Sequence, residues 1–237
     1  MKLQPQNRII ESSLLAVAIV LLGFLLKWGI DDFTNKDRKV SVKGLAEREV
    51  MADKVTWPIL SKELGDNLPE LYDRIGVTQG KIKRFLIANG IKESEISVEA
   101  PVVVDLKAEQ YSAENKDYRY NITSTITVTS GNVKLVRGIL ARQGELLREG
   151  VAIIGGGYEN PIKYSYESFN DMKPKMMAEA IANAEKTARQ FAENSKSRLS
   201  KIVSADQGQF SIDDRDSNTP YIKKVRVVTT VTYALKD

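Results

Sequence analysis

The sequence of 237 residues contains no cysteine and no histidine. These absences exclude disulfides, thiolate nucleophiles, cysteine-bound zinc and every triad, general base or metal ligand that depends on imidazole. Any catalyst would have to use carboxylate, lysine, serine, threonine or tyrosine side chains. We therefore predict no catalytic residues, no cofactor-binding residues and no metal ligands, and we expect that the protein is not an enzyme.

A basic excess of the kind that suits nucleic acid is also missing. The chain carries 35 Lys and Arg residues against 31 Asp and Glu residues, a formal net charge of +4. Residues 1–30 hold three of the basic residues and one of the acidic residues, so the remainder holds 32 basic and 30 acidic residues. Because so little positive charge is left to neutralise phosphates, we expect no nucleic-acid partner.

Uncharged apolar runs are short throughout the chain except near its start. Ser12 to Leu26 is fifteen residues without a charge, followed by Lys27 and Trp28. Extended to Ile9 and Ile30, the run reaches the roughly 20 residues that a membrane-spanning helix needs. Lys27 can reach the headgroups and Trp28 suits the interface. We predict a membrane anchor over residues 1–30 and a polar linker over residues 31–39.

A cleaved signal peptide is the main alternative to an anchor, and a buried core helix is a third interpretation. The start is charged and the middle apolar, but no Ala-x-Ala-like cleavage site follows Leu26. The flanking Lys and Arg residues favour a large domain inside the cytoplasm, whereas long domains after a first anchor translocate largely regardless of local charge. We expect a single-pass protein with its domain on the periplasmic side, and a cytosol-facing adaptor stays open as an alternative.

The remainder, residues 40–237, is predicted to be one domain in which strand and helix patterns alternate. The helix patterns cover about residues 66–90, 132–147 and 173–198, and strand patterns lie before, between and after them. In the last helix Ala180, Ala184, Ala188 and Ala192 recur every four residues, which lets a helix lie close on a sheet. We predict an α+β fold, a mainly antiparallel sheet with helices packed on one face, preceded by one N-terminal transmembrane helix.

These elements resemble, in their order and spacing, the SIMPL-domain family, which includes bacterial periplasmic immunogenic and outer-membrane-associated proteins. The resemblance covers about residues 38–236. It is carried by Val40-x-Val42-x-Gly44, Ala88-Asn-Gly90-Ile91, the strand Tyr118 to Val128, Gly150 at a helix exit, and Tyr166-x-x-Phe169 before the alanine-periodic helix. It implies export to the cell envelope, envelope or stress-related roles, and ring-like or channel-like self-assembly. It implies no catalytic set, because the family has no agreed catalytic residues.

Two groups of residues are candidates for self-association, and we expect a homo-oligomer. Tyr118, Tyr120, Tyr164 and Tyr166 form two i, i+2 pairs, which either bury at a sheet–helix interface or form an exposed aromatic stripe. The closing strand, Lys223 to Leu235, has no charge from Val227 to Ala234. If it is a sheet edge, a neighbouring subunit would cover it, and Val227 and Val231 would lie in the contact. If it is central, no oligomer is required.

Three further motifs favour ordinary structure over chemistry. Gly155 to Gly157 is followed by turn residues rather than by Lys-Ser or Lys-Thr, so we interpret it as a turn and not a phosphate loop. The acidic run within Asp213 to Pro220 lacks the central glycine and distal glutamate of a calcium loop. Ser195 to Lys201 offers serine and lysine without a nucleophile signature. An envelope hydrolase using carboxylates or Ser/Lys stays open as an alternative function.

Overall fold

A computed structural model describes residues 5–35, 38–108, 117–154 and 160–236, with the backbone alone for residues 5–11 and 31–35. The turn predicted at Gly155 to Gly157 lies outside the described residues. In chain order the elements are α1 (Pro5–Asn35), β1 (Lys39–Met51), β2 (Lys54–Gly65), α2 (Leu68–Ala88), β3 (Ile96–Val98), β4 (Val102–Asp105), β5 (Tyr120–Ser130), α3 (Val133–Leu140), α4 (Gly144–Arg148), β6 (Ile153–Ile154), β7 (Lys163–Ser165), α5 (Phe169–Asn194), β8 (Arg198–Asp214) and β9 (Ile222–Lys236).

Helix α1 contains the predicted apolar run. Ser12–Ile30, 19 residues, is long and apolar enough to cross a membrane, and its side chains are exposed. The helix continues to Asn35, so its backbone extends into the segment predicted as a linker. A core helix of a soluble protein would bury such side chains, whereas those of Ser12–Ile30 are exposed.

The chain divides into two compact units. The first comprises Met1–Glu47, Lys173–Ser211 and Arg226–Asp237, and the second comprises Arg48–Met172 and Ile212–Val225. Both combine helices with β-sheet. The strand pairs whose register is resolved are all antiparallel, which confirms the predicted α+β class with antiparallel sheets.

The first unit is built on a three-stranded sheet in the order β1-β9-β8. Helix α5 contributes the alanines predicted to pack closely: Ala180, Ala184, Ala188 and Ala192 are all buried. Ala184 and Ala188 share a core cluster with Val42 of β1 and with Val231 and Tyr233 of β9. The closing strand β9 is therefore the central strand, so its uncharged stretch is covered within the chain.

The second unit is built on a six-stranded sheet in the order β3-β5-β2-β6, with β4 also paired to β5 and β7 to β2. In the central β2–β5 pair Trp57 lies opposite Val128 and Ile59 opposite Ile126, and all four side chains are buried. Helix α2 packs Ile82, Phe85 and Leu86 into the same core. Because alternate residues of a strand face opposite sides, this helix covers one face of the sheet.

Three predicted elements differ from the structure at their boundaries. The strand pattern over Glu95 to Leu106 is divided into β3 and β4 on either side of Pro101, which has no N–H for a strand ladder. The helix pattern over Asn132 to Leu147 is divided into α3 and α4. Between them the N–H groups of Arg142 and Gln143 donate to carbonyls three residues back, a tighter turn than an α-helix.

Helix α5 spans Phe169–Asn194 rather than the predicted 173–198, and its end has a specific geometry. The N–H of Ser197 donates to the Ala192 carbonyl at 2.8 Å, and the N–H of Lys196 donates to the Glu193 carbonyl at 3.0 Å. Lys196 itself is left-handed, with φ of 54°. This pattern is a Schellman motif in which lysine occupies the position that glycine usually takes.

Candidate functional site

The ends of four secondary-structure elements lie together in the first unit, close in sequence to the end of α1. The N–H of Leu235, near the end of β9, donates to the carbonyl of Arg38, just before β1, at 2.9 Å. The Arg38 guanidinium donates to Ser197 Oγ, between α5 and β8, at 2.9 Å. Leu199 of β8 packs on the core cluster that contains Tyr233 of β9. These contacts place the starts of β1 and β8 beside the ends of α5 and β9.

This end of the unit is strongly basic. Over residues 38–41, 185–201 and 233–236 the chain carries eight basic residues and two acidic ones, Glu185 and Glu193. Glu185 is paired with Arg189, one helical turn later, at 2.6 Å. We define this surface as the basic end, and it consists of Arg38, Lys39, Lys186, Arg189, Lys196, Arg198, Lys201 and Lys236, which are all exposed. Phe191, on the last turn of α5, lies between Arg189 and Lys196 in sequence and is 58% exposed.

The edge strand β8 is the second notable surface of the first unit. All residues from Lys201 to Gln207 are exposed, on both faces of the strand. Ile202 is 53% exposed and Val203 is 50% exposed. From Ile202 to Ile212 the only charged residue is Asp206. Long edges with few charges are templates for pairing with another strand.

The predicted self-association residues are scattered by the structure. Val227 and Val231 are buried in β9, so their side chains contact the chain's own core. Tyr118 is exposed but precedes β5, and Tyr120 packs on the cluster around Leu71 of α2. The first tyrosine pair therefore does not form an exposed stripe on one strand.

The second tyrosine pair lies in and just after β7. Tyr164 is half-buried and meets Tyr221 edge to face, with the ring centroids 6.2 Å apart, and burial raises its pKa. The guanidinium carbon of Arg137 lies 3.4 Å from the Tyr221 ring centroid. Tyr166 is half-buried. Tyr221, which sequence patterns do not distinguish, is thus the aromatic residue that links Tyr164 to an arginine.

A cavity of about 740 Å³ lies at the start of α2 in the second unit. Its lining includes two acidic and two basic side chains, Asp66, Glu70, Lys62 and Arg74. Asp66 already accepts a hydrogen bond from the Arg119 N–H at 2.9 Å. The cavity suits a polar solute because both signs of charge line it, but no hydroxyl nucleophile paired with a base is among its lining residues.

The serine–lysine segment after α5 uses its hydroxyls for structure. Ser195 Oγ donates to the Ala192 carbonyl at 3.0 Å, and Ser197 Oγ accepts from Arg38 and donates to the Ser195 carbonyl at 3.4 Å. A nucleophilic serine needs its hydroxyl directed at a base and at substrate. Among the described residues, no group of three or more acidic side chains is arranged to hold a metal ion.

Comparison with known proteins gives one informative match. The family model SIMPL, described as "Protein of unknown function (DUF541)", matches residues 40–233. The search of curated proteins found no match. Among solved structures, the ligand-free regulatory subunit of aspartate kinase from Thermus thermophilus matches at 13% identity, over 79% of this chain and 87% of that chain, with a TM-score of 0.20. A likeness that weak carries no argument about fold or function.

Proposed function

Because the chain belongs to the SIMPL family, whose function is unknown, we propose that it is a non-enzymatic module anchored in the membrane of the cell envelope that acts by self-assembly. The observation that carries the proposal is the exposed edge strand β8. The membrane part rests on Ser12–Ile30, whose apolar side chains are exposed throughout. The domain lies on the periplasmic side of that membrane.

Self-assembly through β8 follows from what an edge strand offers. In the part of the chain that the structure describes, β9 is the one strand paired with β8, so the outer side of β8 is a sheet edge. Natural proteins usually cover such edges or place charges on them. β8 has 17 residues and only one charge between Ile202 and Ile212. A second copy that pairs along it would also bury Ile202 and Val203. β8 paired with the β8 of a second copy closes as a dimer, whereas β8 paired with a different edge of the next copy repeats around an axis and can close a ring.

The non-enzymatic part of the proposal rests on the side chains available. The chain has no histidine or cysteine, and the hydroxyls of Ser195 and Ser197 are engaged in structural hydrogen bonds. For an envelope hydrolase that uses carboxylates, Asp66 and Glu70 in the cavity at the start of α2 are the candidate residues. Replacing both by Asn and Gln separates the two functions, because assembly would be unaffected and hydrolysis abolished.

The assembly experiment measures the mass of the detergent-solubilised full-length chain by size-exclusion chromatography with light scattering. We expect a protein mass of several subunits for the natural sequence. Val203→Lys places a charge on the edge and should reduce the mass towards one subunit. Ile181→Lys is the matched control, because Ile181 is also exposed but lies on α5. A strictly monomeric natural chain at tens of micromolar would refute self-assembly.

Orientation is tested separately with a topology reporter fused after Asp237. A periplasmic domain is supported if a fusion to alkaline phosphatase is active and a fusion to green fluorescent protein is not fluorescent. The opposite pattern would favour the cytosol-facing adaptor and refute the envelope location. Neither outcome alters the mass measurement, so the two parts of the proposal fail independently.

A further inference from the structure

We propose that the basic end of the first unit docks on the anionic phospholipid headgroups of the bilayer that α1 spans. This inference rests on the anchor in the proposed function and adds a specific contact between domain and membrane. The ligand is the lipid surface itself, recognised by the charge of the basic end and by Phe191.

The connection between α1 and the basic end is short. Ile30 ends the apolar span, and five more helical residues to Asn35 advance about 7.5 Å at 1.5 Å per residue. From Asn35 to Arg38 the chain reaches at most about 11 Å, at 3.8 Å between consecutive Cα atoms. Arg38 is therefore within about 19 Å of the end of the apolar span, and it is hydrogen-bonded to both Ser197 and Leu235. The connection therefore keeps Arg38, and the residues hydrogen-bonded to it, near the headgroups.

The charge of the basic end favours contact with anionic lipid. Eight basic residues against two acidic ones make a surface that attracts anionic lipid over about one Debye length, roughly 8 Å at physiological salt. The short connection keeps the surface close to that range. A covalent tether also raises the effective concentration of the surface at the membrane, so a weak attraction is enough.

The exposed Phe191 supplies an aromatic ring that suits the membrane interface. It lies on the last turn of α5, 58% exposed, between Arg189 and Lys196 in sequence. Aromatic rings beside basic side chains are characteristic of surfaces that lie in the interfacial layer of a membrane. Trp28, at the end of the apolar span, is exposed as well and would lie at the same layer.

Lys196 holds a left-handed conformation, which costs a lysine conformational energy. Glycine would take the position without that cost. Strained residues persist mainly where the side chain has a use. Lys196 is one of the exposed residues of the basic end, and a lysine ammonium that contacts headgroups is such a use.

The experiment uses the full-length chain in nanodiscs that hold one copy each, which makes it independent of self-assembly. Because the chain contains no cysteine, Asn194→Cys and Lys175→Cys each accept a single fluorescent label. Lys175 lies about 28 Å from Asn194 along α5, at 1.5 Å per residue. The discs are phosphatidylcholine alone or a mixture with phosphatidylglycerol, each with a small amount of lipid that carries a nitroxide quencher on its headgroup.

We expect the label at Asn194 to be quenched in the anionic discs, less in the neutral discs, and less again at high salt. The label at Lys175 should change little. With the label at Asn194, Lys196→Gly should lower the ratio of quenched to unquenched populations about fivefold, the effect of one basic residue near an anionic surface. Lys201→Glu changes the charge by two and should lower the ratio further. Lys175→Glu is the matched charge control and should leave the ratio unchanged.

Equal quenching at Asn194 and Lys175, or quenching at Asn194 that is indifferent to lipid charge, would overturn the docking. Flotation of the chain with liposomes after an alkaline wash separates this failure from that of the anchor. A chain that the wash releases refutes the anchor and the docking together. A chain that floats but shows no lipid-dependent quenching refutes the docking alone.

Discussion

Gly44 of β1 and Ala180 of α5 lie so close that a Cβ atom at Gly44 would be 1.9 Å from the Ala180 carbonyl oxygen. The same Cβ would lie 2.8 Å from the Ala184 Cβ. The helix backbone thus rests directly on the strand backbone, with no side chain between them. Gly44 and the small residues of α5 are therefore one packing device that sets the distance between helix and sheet.

Gly44→Ala should destabilise the protein by about 3 kcal/mol, because the added methyl group overpacks a contact with backbone atoms. These atoms cannot shift without disturbing the helix. The free energy of unfolding of the full-length chain in detergent, from a urea titration, checks this value. Gly76→Ala is the control, since a Cβ at Gly76 on α2 meets nothing within 4 Å. That substitution should stabilise the helix by about 0.5–1 kcal/mol. Two changes of the same sign would contradict the packing argument.

Ala184→Leu should cost roughly 1–3 kcal/mol, because Ala184 is fully buried against Val42, Val231 and Tyr233. Ala182→Leu, on the exposed side of the same helix, should change stability little, since alanine and leucine have similar helix propensities. Thermal midpoints of the two variants measured side by side provide the check. An unchanged midpoint for Ala184→Leu would mean that the helix does not press on the sheet.

The alanine stripe of α5 was predictable because its period is local: four residues return a side chain to the same helical face. The order β1-β9-β8 was not predictable, because strand order is set by pairing between segments nearly 200 residues apart. An uncharged strand such as β9 fits an edge or a centre equally well in sequence. The strand pattern over Ile202 to Gln209 was predictable, but the position of β8 at an exposed sheet edge was not, for the same reason.

The basic end could not be predicted from the sequence for a similar reason. Each of its lysines and arginines is visible in the sequence, but they come from three separate segments. The folded contacts between Arg38, Ser197 and Leu235 bring those segments together. The left-handed conformation of Lys196 has no sequence signal, because glycine is the residue that such a position predicts.

Asp53→Ala should destabilise the second unit by about 2 kcal/mol at neutral pH, because the carboxylate accepts the N–H groups of both Glu167 and Ser168 at 2.7 Å. Although burial raises the pKa of Asp53, hydrogen bonds from the Ser168 side chain and from these backbone groups lower it more, to below 3.8. A lowered folded pKa stabilises the protein above the unfolded value, and that contribution is lost as pH falls through the folded value.

The difference in stability between the natural chain and Asp53→Ala should therefore be constant above about pH 5 and shrink below pH 3.8. Urea titrations over that pH range measure the difference. Asp73→Ala, an exposed position on α2, serves as the control and should show a smaller effect. A difference that grows as the pH falls would contradict the hydrogen-bonding role of the carboxylate.

The membrane-extracted protein should retain α1, because no small-residue cleavage pair follows Leu26. Intact mass spectrometry should give the full 26.5 kDa chain, and N-terminal sequencing should begin near Met1. Introducing Ala-x-Ala at residues 29–31 is the matched positive control, since it supplies the missing site and should yield a shortened chain. A natural chain that begins between Asp31 and Lys36 would show instead that α1 is a signal peptide.

Lys196→Gly should stabilise the protein by about 0.5–1 kcal/mol, because glycine removes the left-handed strain of a lysine at the cost of a more flexible unfolded chain. The helix end is otherwise unchanged, since the N–H groups of residues 196 and 197 still close the Schellman motif. Asn194→Gly is the control, because it places glycine inside the last helical turn and should destabilise by about 0.3 kcal/mol, the difference in helix propensity between asparagine and glycine. The thermal midpoints of the two variants should therefore move in opposite directions. A lower midpoint for Lys196→Gly would show that the lysine contributes more to the fold through its contacts than it costs in backbone energy, and the strain at this position would then need no role at the membrane to explain it.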